Sequence, residues 1–332
     1  MGWLTEWSQR QTISISNFST NCQFRLDLSG MNWDKVQSDG DDIRVTDNNG
    51  TTLLKIWLEE FDYGAHTGTL WIKLPASSSG DLYLYTGNPD APSVSSGDDT
   101  FLLFDHFLGD SLDTDKWNSY VESGCSVTVS NSEVNIAIPA VADRECYIYD
   151  KNTHAYPITI GIRSKCYSIY PNLIGMSVGG YPPCEGYNCF VLGQLHRFNA
   201  WLYGRQRKDD VFSEQSYTAA TDYANYHRYE VKWWLNNVQY FRDWVSLGSA
   251  TTNVPIVNLY VLFGIGNYGN AFSGWVKADF VYLRKYVATE PTGVFGKVGF
   301  KAVAIVQAAL ISIPPLIVLP TLREILRLTG GC

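Results

Sequence analysis

From Thr12 to Tyr286 the chain is cut into short apolar–polar alternations by Gly, Asn, Asp and Pro, and no long amphipathic helical run occurs before the last forty residues. A period of two sends successive side chains to opposite faces, which suits strands and not helices. Thr12-Ile13-Ser14-Ile15 alternates in this way. The turn residues Asp39-Gly40-Asp41-Asp42 precede Ile43-Arg44-Val45, and Asn48-Asn49-Gly50 predicts a hairpin turn before Leu53–Trp57. Gly68–Leu74 and Asp81–Tyr85 flank another turn segment, Pro75–Gly80. Further on, Tyr229–Leu235, an Asn236-Asn237 turn and Val238–Trp244 predict a second hairpin.

A length of 332 residues accommodates two domains. Gly87–Pro92 and Ser93–Asp99 are rich in turn formers, so the boundary falls there, with domains at 1–92 and 101–288 and a linker at 93–100. The aromatic content is high, with 21 Tyr, 15 Phe and 11 Trp. Such rings fit pleated sheets and also offer flat faces for sugars. A net charge of −8 argues against nucleic acid, which needs clustered Lys and Arg, and favours a neutral ligand. The opening MGWLTEWSQRQTISI lacks a charged region followed by an apolar one, so no signal peptide is visible.

The blocks Trp7…Arg10–Ile13, Asp39–Asp47, Trp57-Leu58-Glu59, Leu70–Pro75 and Leu82–Asn88 resemble, in that order, an uncharacterised β-sandwich module of prokaryotic surface proteins. That resemblance implies a surface location and a fold, without an activity. Residues 101–288 open with Phe104-Asp105-His106-Phe107 and Lys116-Trp117-Asn118, and close with Trp275–Tyr286. With the central hairpin, these blocks are similar to the concanavalin-like lectin/glucanase sandwich. The expected fold is therefore all-β: two β-sandwich domains, the second a concanavalin-like jelly roll, followed by a C-terminal apolar helical tail. Trp117, Trp233 and Trp275 are expected in the core.

The glycoside hydrolases of that family carry an E-x-D-x-x-E strand, and no such motif occurs here. The nearest approach is Asp143-Arg144-Glu145, whose outer residues would share a strand face. A retaining glycosidase needs two carboxylates about 5–5.5 Å apart, and a lone i, i+2 pair is commonplace on solvated strands. His66, His106, His154, His196 and His227 are scattered without metal-binding spacing. The expectation is a protein that is not an enzyme. The resemblance also implies a structural Ca2+ held by Asp105 and Asp279; the alternative is that Asp279 pairs with Lys277 or Arg284.

Trp201, Tyr203 and Arg205 alternate in one strand and form a candidate platform for sugar stacking and hydroxyl recognition. Tyr181, Tyr187 and Asn188 in one loop, and Asn267, Tyr268 and Asn270 in a Gly-rich stretch, are further candidates; core packing is the competing role for each ring. Cys184 and Cys189 bracket a short loop, either as a disulfide or as two half-buried thiols, while Cys125 is placed to bridge to Cys146 or Cys166. Residues 292–332 turn apolar, with 21 residues from Ala302 to Leu322 free of charge but broken by Pro314-Pro315. They predict a bent helical anchor, beginning at Val294, that enters a membrane or the core of a homo-oligomer. The functional reading is a surface attachment protein, on a virion or a cell, that binds a glycan or glycoprotein. The alternatives are a structural component of such a surface and, last, a glycoside hydrolase.

Overall fold

A computed structural model describes residues 2–76, 80–167, 172–177, 189–195, 201–209, 211–219, 222–267, 269 and 271–301. The first strands are Gln9–Ser16 (β1), Gln23–Asp27 (β2), Arg44–Thr46 (β3), Ile56–Asp62 (β4), Thr67–Lys73 (β5) and Leu82–Thr86 (β6). A helical turn, Gly97–Thr100, leads to Leu103–Asp105 (β7), Trp117–Val121 (β8), Ser126–Ser130 (β9), Glu133–Ile138 (β10), Glu145–His154 (β11) and Ile158–Tyr167 (β12). Next come Asn172–Ser177 (β13), Cys189–Leu195 (β14), Trp201–Lys208 (β15), Val211–Ala219 (β16), His227–Trp234 (β17) and Asn237–Arg242 (β18). Val245–Ala250 (β19), Leu259–Gly266 (β20), Gly274–Lys285 (β21) and Thr292–Phe300 (β22) follow.

The expected all-β class is the observed one. In the N-terminal part a four-stranded sheet, β22-β1-β6-β3, and a three-stranded sheet, β2-β5-β4, share a core of Ile13, Phe24, Val45, Ile72 and Leu84. The predicted turn at Asn48–Gly50 forms, with Gly50 at φ 80°, a left-handed conformation that glycine adopts without steric cost. The second part is a jelly-roll-like sandwich of two larger sheets. One runs β19-β18-β17-β12-β21-β10-β9 with β7 beside β21; the other runs β16-β15-β14-β13-β20-β11-β8. Alternation builds the core between them: in β10, Val134, Ile136 and Ile138 are buried while the residues between them are not. Trp117 and Trp233 lie in this core as expected, with indole N–H groups donating to Asp105 Oδ2 (2.6 Å) and the Pro255 carbonyl (3.0 Å).

Four expectations change. Residues Val294–Phe300 do not begin a helix: they belong to strand β22, hydrogen-bonded beside β1, with Phe295 packed on the N-terminal core. Alternating exposure along residues 292–296 is the signature that the apolar count obscured; residues 302–332 lie outside the described part. The central hairpin turns on Leu235-Asn236, because Trp234 pairs with Asn237, so the turn falls one residue earlier than predicted. Trp275 is not a core residue: Val276 and Ala278 take the inward positions of β21, and Trp275 points to the opposite face. Cys125 bridges to neither Cys146 nor Cys166: Cys125 and Cys146 are free thiols, and Cys166 is a buried thiol in the core.

Segment 93–100, which the sequence marks as a linker, is held closely. Ser96 N–H donates to the Ile56 carbonyl at 2.8 Å, and Thr100 is fully buried. A ring cluster of Trp57, Trp71, Phe101, Phe104, Phe280 and Tyr282 joins the N-terminal sheets to the outer face of the eight-stranded sheet. Beside it, fully buried Glu59 accepts from Trp71 Nε1 (2.7 Å) and Arg228 Nε (2.5 Å). Burial pushes the Glu59 carboxyl up, against the pull of the Arg228 guanidinium. With one face of the eight-stranded sheet turned to the core and part of the other covered by the N-terminal sheets, the outer face of the seven-stranded sheet is the broad face left to examine.

Candidate functional site

Strand β11 sets the pattern of that face. Cys146 and Ile148 point into the core, so Glu145, Tyr147 and Tyr149 point outward. Tyr147 lies opposite Tyr120 of β8 on one side and Gly264 of β20 on the other. A Cβ on Gly264 would sit 2.2 Å from that of Tyr147, so the ring requires glycine there. The result is a tyrosine row. Tyr120 stacks on Tyr147 at 5.1 Å between centroids, Tyr147 meets Tyr149 at 6.1 Å, and Tyr149 meets Tyr260 edge-on at 5.8 Å. Next to Tyr149, Cys189, Val191 and Leu262 form a small apolar floor.

Carboxylates border one end of the row. Glu122 accepts from the Tyr120 hydroxyl (3.0 Å) and from the Glu145 N–H (2.9 Å), and Glu145 itself is 5% exposed. Beyond the floor, Arg205 of β15 faces away from the core, opposite Val191 and Glu214. Its Nε and Nη2 reach Glu214 Oε2 at 2.8 and 2.7 Å. Tyr147 is fully buried, as are the floor residues, so the accessible part of the face is half-buried Tyr120, Tyr149 and Tyr260 with the paired Arg205 guanidinium, a set suited to stacking on a sugar and bonding its hydroxyls.

The structure distributes the predicted site residues unevenly. Trp201 and Tyr203 occupy the alternate positions of β15 that precede Arg205, with Tyr203 opposite Gly193 and Ser216. Tyr181, Tyr187, Asn188, Tyr268 and Asn270 lie outside the described residues. Asn267 is not a ligand contact. It is fully buried, its Oδ1 accepts the Arg144 N–H (2.7 Å), and its Nδ2 donates to the carbonyls of Val141 (2.7 Å) and Phe272 (3.0 Å). These bonds tie the loops on either side of β11 and β20 together, because a buried amide needs internal partners. Cys189 is disulfide-bonded, and its expected partner Cys184 lies outside the described residues.

Asp143 and Glu145 do not share a strand face. Asp143 sits in the turn before β11 with φ 56°, and its Oδ1 accepts the Gly269 N–H at 2.6 Å. The suggested calcium ligands are engaged elsewhere. Asp105 accepts from Phe107 N–H (2.7 Å) and Trp117 Nε1 (2.6 Å), while Asp279 pairs with Arg163 rather than with Lys277 or Arg284. Among the described residues, no group of three or more His, Cys, Asp or Glu is placed to hold a metal ion. Sequence reasoning missed the tyrosine row. Its only signal is the alternation Glu145-x-Tyr147-x-Tyr149, and the contributions of Tyr120 and Tyr260 depend on which strands lie side by side.

A family described as a domain of unknown function (DUF2341) matches residues 39–120, about a quarter of the chain, and that match crosses the segment 93–100. No curated protein matches. Among solved structures, the chain is similar to a Bacillus licheniformis β-glucanase at 14% identity, covering 56% of this chain and 98% of that one, with a TM-score of 0.46. It is similar to the endo-β-1,3-glucanase of Pyrococcus furiosus at 12% identity, covering 57% and 95%, also with a TM-score of 0.46. The catalytic domain of a Thermotoga petrophila laminarinase gives 13% identity, 56% and 97% coverage, and a TM-score of 0.43. At these values the likeness concerns the course of the chain, and the glucanase activities are those of the named proteins.

Proposed function

We propose that this chain is a non-catalytic, surface-displayed protein that binds a glycan across the outer face of the seven-stranded sheet. The observation that carries this reading is the half-buried trio Tyr120, Tyr149 and Tyr260, backed by buried Tyr147 and continued past an apolar floor to Arg205. A sugar stacks its C–H face on such rings, and each aromatic contact contributes on the order of 1 kcal/mol. Surface display follows the family resemblance of the N-terminal blocks, and the apolar tail fits an anchor in a membrane or a homo-oligomeric assembly.

A glycan array with the full chain tests the reading, followed by titration of any hit against Tyr260→Ala and Arg205→Ala. Each substitution should weaken binding by about fivefold. Both residues lie away from the core, so stability should change by no more than about 0.5 kcal/mol. Failure to bind any glycan, or binding untouched by both changes, overturns the proposal.

Hydrolysis is the second reading, because Glu145 lies on the same face as the tyrosines. Against it, Glu122 holds both of its oxygens in hydrogen bonds to Tyr120 and the Glu145 backbone. Release of reducing sugar that vanishes in Glu145→Gln would establish hydrolysis and refute the non-catalytic reading.

A further inference from the structure

The N-terminal sheets cover only one end of the outer face of the eight-stranded sheet. Strand β21 shows the division: Phe280 and Tyr282 pack into the ring cluster with Trp57 and Trp71, whereas Trp275 and Lys277, at the other end, face away from the core and outside that cluster. Trp275 lies directly opposite Tyr167 of β12, and the two rings stack at 6.0 Å and 21°. Tyr167 is 63% exposed, because neighbouring Cys166 takes the inward position of β12. The neighbour of Trp275 on the far side is the short side chain of Ala137, and Trp275 is half-buried.

The next cross-strand pair on this face is Lys165 opposite Lys277. Like charges directly opposite are unfavourable unless something lies between them. Here Glu133 does so, within 3.5 Å of Lys165 Nζ and hydrogen-bonded to Lys277 and to the Tyr226 hydroxyl. Lys165 and Arg163 also sit over the Tyr226 ring, at 4.3 and 4.7 Å from its centroid. Arg163, Lys165 and Lys277 thus exceed Glu133 and Asp279 by one positive charge, on a chain whose net charge is −8. A stacked pair of exposed Tyr167 and half-buried Trp275, next to a local surplus of cations, is complementary to a sugar that carries an anion.

We propose that Tyr167 and Trp275, with Lys165 and Lys277, form a second binding site that takes an anionic saccharide. The ring face of the sugar lies on the Tyr167–Trp275 pair, and its carboxylate or sulfate ester meets the two ammonium groups. The site is independent of the tyrosine row, which belongs to the other sheet. Both lysines keep about a quarter of their side chain exposed, at 26% and 28%, so their amines are reachable without unfolding the face.

The test is calorimetric titration of the full chain with trigalacturonate, with a sulfated heparin disaccharide and with neutral laminaritriose. At least one anionic probe should bind, with an affinity that falls as salt rises, because the lysines are near the surface. The probe that binds identifies the anion. Tyr167→Ala should weaken that binding by about five- to tenfold. Lys165→Ala/Lys277→Ala should abolish its salt dependence, while Arg205→Ala and Tyr260→Ala leave it unchanged. Absence of binding by both anionic probes at millimolar concentration overturns the proposal, as does binding that survives both the Tyr167 and the double-lysine changes. Tyr167 is exposed enough that its variant reports on binding even where the double variant fails to fold.

Discussion

Replacing Arg284 with Met tests the buried ion pair that lies beneath Trp71 of the N-terminal sheets. Arg284 is 2% exposed and lies with its guanidinium 5.6 Å from the Trp71 ring. Its Nε and Nη2 reach Glu230 at 3.1 and 3.3 Å, and its Nη1 and Nη2 reach Glu290 at 3.1 and 2.8 Å. Glu290 has 39% of its side chain exposed and keeps Lys232, so water and that lysine compensate it when the guanidinium is gone. Glu230 has 5% of its side chain exposed and keeps the Tyr282 hydroxyl as its side-chain partner among the described residues. Breaking a buried pair in this way costs about 3–5 kcal/mol, nearly all of it at Glu230. Arg284→Met/Glu230→Met removes the stranded charge as well and should recover most of the loss. It should stay within about 1 kcal/mol of the parent, the cost of the acceptor that Tyr282 loses. Urea unfolding followed by far-UV circular dichroism and tryptophan fluorescence measures both variants. A single-variant loss below about 1 kcal/mol, or a double variant no more stable than the single, refutes the reasoning.

Ending the chain at residue 291 instead of 300 removes β22 and uncovers the Phe295 contact. The chain ending at 291 should be less stable than the one ending at 300 by about 2 kcal/mol, or about 4–8 °C in melting midpoint. Asn267→Ala leaves buried backbone groups of the β11 and β20 loops without partners and should cost about 2–3 kcal/mol in chemical denaturation. Burial pushes the Glu290 carboxyl up, but Arg284 and Lys232 outweigh it and hold the group below the usual carboxylate range. A lowered carboxyl contributes stability above its unfolded value that is lost as pH falls through its folded value. The stability gap between the parent and Glu290→Gln should therefore be full at neutral pH and close under acid. A gap that is constant with pH would contradict this.

Strand positions were legible in the sequence wherever alternation coincided with turn chemistry, as at Thr12–Ile15, Asn48–Gly50 and the hairpin near Asn237. The class followed from these, because a period of two admits few other architectures. Strand β22 was not legible: Val294-Phe295-Gly296 precedes a long apolar run, and a hydrophobicity count merges the two. Trp275 was misjudged for a related reason. Its parity in β21 places it opposite Tyr167 and away from Val276, and parity is invisible until the register is known. The candidate site divides in the same way. Arg205 and its two alternate predecessors were readable from one strand, whereas the tyrosine row draws on β8, β11 and β20 and exists only once these are neighbours. Asn267 had the composition of a ligand contact because Gly, Asn and Tyr mark both binding loops and structural corners.

Glycan binding on the outer face of the seven-stranded sheet is tested most directly by hydrogen–deuterium exchange of the full chain, with and without the best saccharide from the array. Ligand-dependent protection should appear in Glu145–His154, Trp201–Lys208 and Leu259–Gly266, the strands that carry Tyr147, Tyr149, Tyr260 and Arg205. Protection absent from all three, with the same saccharide bound at saturation, would contradict it.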